Sequence, residues 1–137
     1  MASLLKGSAF ITGGARGIGQ ATAFAFARHG ITKLALADIN AADLEATQKT
    51  IAAEFPKVEV LPLQMDVRSK ADIRDGIAEL VSRFGRLDVA VNNAGVGGTG
   101  KPTHETDDAE IENVLNINLN GVYWCQKEEL GVMVKQE

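Results

Sequence analysis

The sequence predicts an α/β fold in which a parallel sheet is covered by helices. Three observations carry that prediction. Short apolar runs alternate with longer segments of helical period, the pattern of strands joined by crossover helices. One of those runs, LDVAV at 87–91, is apolar on both faces, as a strand buried between two helix layers must be. A glycine-rich turn, TGGARGIG at 12–19, separates a strand from a helix, the context that lifts a glycine motif above chance.

The first strand is expected over 8–12, followed by the glycine turn and an alanine-rich helix to about His29, whose small side chains allow close packing on a sheet. LALAD at 34–38 is the second strand. Asn40 can cap the next helix, where Leu44, Ile51 and Phe55 share a stripe and Pro56 lies just past the end. VEVLPLQM at 58–65 is the third strand, and Pro62, which cannot donate to a ladder, suggests an edge position. Ser69 with Asp72 three residues on forms a variant capping box. Ile73, Ile77, Leu80, Val81 and Phe84 follow at helical spacing until Gly85 stops the helix. After LDVAV and NNAG comes a glycine-rich loop, 96–105, expected to be flexible, and a last helix beginning near Thr106 or Asp107. No repeat of solenoid spacing occurs.

At 137 residues the chain has the length of one domain, with 45% hydrophobic and 23% charged residues. A net charge of -4 gives no basic face for a phosphate backbone, so nucleic acid is not an expected partner. The single cysteine, Cys125, cannot form an internal disulfide, and neither a CxxC pair nor a His/Cys cluster suggests a metal. These features fit a reducing, cytoplasmic setting. The N-terminus does not read as a signal peptide, and no apolar run approaches the ~20 residues a bilayer requires.

Glycine has a mechanical reason to occupy the 12–19 turn, because close approaches there leave no room for a Cβ. Amides at the following helix start can point at a pyrophosphate, and the local dipole favours its negative charge. Asp38 ends the second strand about twenty residues after the glycines, where an acidic side chain meets the adenosine ribose. A carboxylate accepts hydrogen bonds from both ribose hydroxyls but repels a 2′-phosphate, so NAD is favoured over NADP. Arg16 argues weakly the other way, and its plain alternative is a solvated loop charge. The fold expected is therefore a Rossmann-like doubly wound parallel sheet. It is incomplete, with four strands and four helices against the roughly six strands of a full dinucleotide fold.

With Thr12, Gly13, Gly17, Gly19, Asp38, Asp66, Val67 and NNAG at 92–95 in order, the sequence closely resembles the classical short-chain dehydrogenase/reductase family, from about Lys6 to Gln126. The resemblance implies a nicotinamide-dependent oxidoreductase acting on a small alcohol or carbonyl. It also implies that Ile18 and the glycines line the pyrophosphate, that Asp66 and Val67 hold the adenine, and that Asn92, Asn93, Ala94 and Gly95 border the cofactor while tying the central strands together. Asp66 can equally serve as a strand-end residue turning the chain toward Ser69. Asn92 or Asn93 can serve mainly by bonding buried backbone. The chain departs from the family pattern at Ile111, where a tryptophan is common.

On the last helix Ile111, Val114, Leu115, Val122 and Cys125 fall on one stripe with Asn118 in its middle. By resemblance Asn118, in NLNG at 118–121, maps onto the family's catalytic asparagine; its alternative is a core amide that fixes the helix. A tyrosine and lysine four apart, Tyr123 and Lys127, imitate a proton-transfer pair. At about 100° per residue they project about 140° and about 180° from Asn118, so they are expected to be a decoy. In family members the catalytic serine and the YxxxK pair lie beyond the next strand. The chain is therefore expected to be a cofactor-binding part, inactive alone, that forms a homo-oligomer through the last helix. The rival readings are a non-catalytic dinucleotide-binding module and a subunit-interaction module.

Overall fold

A computed structural model describes residues 3–136. Four strands, β1 (Ser8–Thr12), β2 (Lys33–Asp38), β3 (Glu59–Gln64) and β4 (Val89–Asn92), form one parallel sheet in the order β3-β2-β1-β4. Helices α1 (Gly17–Arg28), α2 (Ala41–Glu54) and α3 (Lys70–Phe84) cross between them. The period-two alternation of the strands sorts side chains to opposite faces. Ala9, Ile11, Leu34 and Leu36 pack with Ala23 of α1 and with Leu44 and Ile51 of α2. Phe10, Ala35, Leu61 and Leu63 pack with Ile73, Ile77 and Leu80 of α3 and with Cys125 of the last helix. Helices thus cover both faces, as the doubly wound expectation requires.

Local chemistry starts and stops the elements where the sequence indicates. Asn40 accepts from the Asp43 amide at 3.0 Å at the head of α2, and Ser69 accepts from the Asp72 amide at 3.2 Å at the head of α3. Gly85 closes α3 in the left-handed region, with φ 81°. Pro62 lies on β3, which pairs with β2 alone and is an edge strand. β4 departs from expectation. Its residues are only half-buried, because among the described residues it pairs with β1 alone and its other edge is open.

The last helix is one continuous rod in three parts: α4 (Asp108–Leu115), a π-helical segment (Asn116–Gly121) and α5 (Val122–Met133). The uniform 100° wheel fails here. The inward face runs through Ile117, Gly121, Cys125 and Glu129, whereas Ile111 and Leu115 are each 48% exposed. Bonding from i to i+5 winds the backbone less per residue than α geometry, so the segment shifts the phase of everything after it. Asn118 is consequently exposed rather than central to an apolar stripe. The preceding loop carries a one-turn 3-10 helix (Thr103–Glu105) and is tethered to α4, with Glu110 accepting from the Thr99 amide and, at 2.9 Å, from its hydroxyl. No helix among the described residues is long and apolar enough to cross a membrane.

Candidate functional site: a cleft at the carboxyl ends of the strands

β1 lies between β2 and β4, so the strand order reverses at β1, and a crevice opens beyond the carboxyl ends there. A cleft of about 490 Å³ occupies this place. The turn after β1 forms one wall. Gly13 has φ 65°, and a Cβ on it would lie 2.9 Å from Asn93 Nδ2. A Cβ on Gly19 would lie 2.0 Å from the Gly13 carbonyl oxygen, so helix and turn touch as only glycine allows. The first-turn amides of α1, Gly17 to Gly19, precede the Gln20 N–H to Arg16 oxygen bond at 3.2 Å and have no partner within the helix.

Asp38 stands at the end of β2 and lines the cleft. Its Oδ2 accepts from the Ala15 amide at 3.1 Å and its Oδ1 from the Asn40 amide at 3.1 Å. Beyond β3, Asp66 accepts from Arg68 through the backbone amide at 2.9 Å, through Nε at 3.0 Å and through Nη2 at 2.6 Å. That guanidinium holds the Asp66 carboxyl below the usual carboxylate range, burial opposing it. Nη1 of Arg68 donates to Asn113 of α4 at 2.9 Å and ties the β3 loop to the last helix.

Beneath β4, Thr12 Oγ1 accepts from the amides of Asn93 and Ala94 at 3.0 and 3.1 Å. Asn93 Nδ2 donates to the Thr12 and Gly13 carbonyls at 3.1 and 3.2 Å. Asn118 accepts from the Val96 amide and donates to its carbonyl, both at 2.8 Å, and so grips the chain just past NNAG.

The structure brings Gly13, Arg16, Ile18, Asp38, Asp66, Val67, Asn93, Ala94 and Gly95 together around the cleft. Thr12, Gly17, Gly19, Asn92 and Asn118 do not line it. Thr12 is 2% exposed and works as the pin between β1 and β4, while Asn92 turns to Glu129 of α5, donating at 2.9 Å. Arg16 pairs with Asp43 of α2 at 3.3 Å. Tyr123, 56% exposed, and Lys127 lie outside the cleft, and the Tyr123 ring packs edge-on against Trp124 at 4.9 Å.

Sequence reasoning missed Ala37, Ile39, Met65, Arg68, Val96 and Ile117, which complete the lining. Arg68 had a signal, since it sits two residues after a strand-end aspartate; Ile117 had none, because the π segment sets its phase. The one cysteine is inert: burial pushes the Cys125 thiol up to about 12.

A parallel doubly wound sheet with a glycine turn, free helix amides and a strand-end carboxylate at its switch point defines a dinucleotide-binding domain. A family model described as short chain dehydrogenase matches residues 8–137, and the chain belongs to that family. Levodione reductase of Leifsonia aquatica is 38% identical over 126 residues, covering 92% of this chain and 47% of that protein. A levodione reductase crystal structure superposes with a TM-score of 0.91 at 37% identity over 95% of this chain and 50% of that one. A short-chain dehydrogenase/reductase of Burkholderia phymatum in complex with NAD gives a TM-score of 0.91 at 30% identity, over 99% of this chain and 47% of its own. An alcohol dehydrogenase of Thermococcus sibiricus complexed with 5-hydroxy-NADP gives 0.87 at 35%, over 93% and 53%. The chain spans between 28% and 53% of the length of the curated relatives it matches.

Proposed function

We propose that the chain is the cofactor-binding part of a nicotinamide-dependent oxidoreductase acting on a small alcohol or carbonyl, with NAD preferred to NADP. Bound there, the dinucleotide supplies hydride acceptance or donation. The chain's own residues bind and orient it: first-turn amides of α1 toward the pyrophosphate, Asp38 toward the ribose hydroxyls, Asp66 and Val67 toward the purine. The carrying observation is Asp38. Its carboxylate faces the cleft at the end of β2 while bonded to the glycine-turn amide of Ala15. The NAD-complexed relative from Burkholderia phymatum supports the preference, and the relative complexed with 5-hydroxy-NADP makes it a property to measure.

The 137-residue chain is proposed to bind without turnover, since Tyr123 and Lys127 do not line the cleft. Calorimetry of the whole chain with millimolar NAD and NADP tests the binding: heat with NAD and less with NADP is expected, and no heat with either defeats the reading. NADH formation by the pure chain, abolished by Tyr123→Phe, would overturn the proposed inactivity. A self-association reading rests on a separate observation. Ile111, Leu115, Leu119 and Tyr123, four residues apart, are each 48% exposed or more along the last helix. Homo-oligomerisation there, in a cytoplasmic setting, predicts a mass by light scattering that rises with concentration; a constant monomer mass counts against it.

A further inference from the structure

Glu129 is 3% exposed on the inward face of α5. It accepts at Oε2 from Asn92 Nδ2 at 2.9 Å. The other carboxyl oxygen, Glu129 Oε1, and the amide oxygen, Asn92 Oδ1, are both buried with no hydrogen-bond partner. Two acceptors left over beside one completed bond are a poor arrangement for a carboxylate and a carboxamide, because buried acceptors are ordinarily satisfied. One proton on Oε1 resolves both at once. It converts that oxygen into a donor, and an acid and an amide, both planar, then close a ring of two parallel bonds, N–H to O and O–H to O.

The electrostatic surroundings agree. On α5 the titratable neighbour is Cys125, one turn earlier, whose thiol burial keeps uncharged, so it supplies no cation. β4 contributes Asn92, which carries no charge. α3, packed on α5, contributes Lys70, which is spent on the Trp124 ring at 3.8 Å. No lysine, arginine or histidine among the described residues forms an ion pair with Glu129.

We propose that Glu129 is a positioning residue, folded as the neutral acid and donating from Oε1 to Asn92 Oδ1, so that a two-bond ring clamps the end of β4 to α5. The proton comes from solvent on folding at neutral pH; no other bond changes. Asn92 precedes Asn93, Ala94 and Gly95, which line the cleft, so the clamp sets that wall whether or not a dinucleotide binds there. Burial raises the Glu129 carboxyl above its ordinary 4.5, the Asn92 bond opposing it. The folded state then holds a proton that the unfolded chain releases above that value, so the clamp loses strength as pH rises from about 4.5, by up to about tenfold in the folding constant per pH unit.

Glu129→Gln is the discriminating variant. Its amide donates from Nε2 and accepts at Oε1, preserving the ring without a titrating group. Urea unfolding of the full chain from about pH 5 to about pH 8 is expected to show wild type and Glu129→Gln converging at the acid end and diverging in favour of the glutamine as pH rises. Glu129→Ala, lacking the ring, should be the weakest of the three at about pH 5. In the infrared, a protonated-carboxyl carbonyl band should be present at neutral pH in wild type and missing in Glu129→Gln. A wild-type advantage above neutrality, a gap that does not move with pH, or no such band overturns the proposal; the carboxylate then accepts from a donor outside this chain.

Discussion

Asp38 Oδ2 accepts the Ala15 amide at 3.1 Å, so the carboxylate expected to meet a ribose already holds the turn expected to meet the pyrophosphate. Two subsites therefore share one side chain. Asp38→Ala is predicted to weaken NAD binding by tenfold or more, since a hydrogen bond to a charged group contributes about 1.5–3 kcal/mol. NADP binding should fall less, because the repulsion of its 2′-phosphate disappears together with the tie. Calorimetric titration of both dinucleotides gives the ratio directly, and a ratio unchanged from wild type would remove Asp38 from cofactor selection.

Thr12 yields a second prediction, about the sheet. Its hydroxyl accepts two backbone amides of the NNAG segment while 2% exposed. Asn93 N–H has an alternative in the Val91 carbonyl at 3.1 Å, so Ala94 is the amide that Thr12→Val strands. Valine keeps the shape and loses the acceptor. A fully buried unsatisfied donor costs about 1–3 kcal/mol, and the half-buried Ala94 amide should lie at the low end of that range, which urea unfolding should register as an earlier midpoint at unchanged slope. Thr12→Ser should recover most of the loss; if it does not, the γ-methyl and its packing matter more than the hydroxyl.

The contrast between these sites and the last helix explains how much the sequence disclosed. Strands, crossovers, caps and the edge position of β3 were legible because each depends on neighbours in sequence: Asn40 on Asp43, Ser69 on Asp72, Pro62 on its own missing N–H. Asp38 was legible because position at a strand end fixes its place. The last helix was not, because a six-residue π segment (Asn116–Gly121) rephases it, turning Asn118 to Val96 and Glu129 inward. Nothing in KEEL marks one of its two glutamates as buried. Arg68 bonds Asn113, 45 residues away, and long-range pairings of that kind leave no local pattern.

Glycines at 17 and 19 should separate conformation from contact. Gly17 has φ 56° but open space around a would-be Cβ, so Gly17→Ala pays only the left-handed penalty, about 1–2 kcal/mol, and should fold. Gly19→Ala drives a methyl to 2.0 Å from the Gly13 backbone and forces turn and helix apart. Its loss in the same urea assay should be the larger, and its dinucleotide binding should vanish even where folding survives. Equal losses would mean that the turn yields without cost.

Arg68→Leu tests the electrostatics of the cleft through pH. Arg68 lowers the Asp66 carboxyl, so in wild type that pairing stabilises the fold above the ordinary aspartate value of 3.8 and fades as pH falls through the lowered folded value. Removing the guanidinium returns Asp66 toward 3.8. The variant should therefore be less stable than wild type at neutral pH, and the gap should narrow in acid as Asp66 protonates in both proteins. Salt should narrow it as well, since both side chains are partly exposed, at 44% and 27%. Urea midpoints at about pH 7 and about pH 3 measure the two ends. A gap of equal size at both would assign the contribution of Arg68 to its bond with Asn113 and to packing instead of to the charge on Asp66.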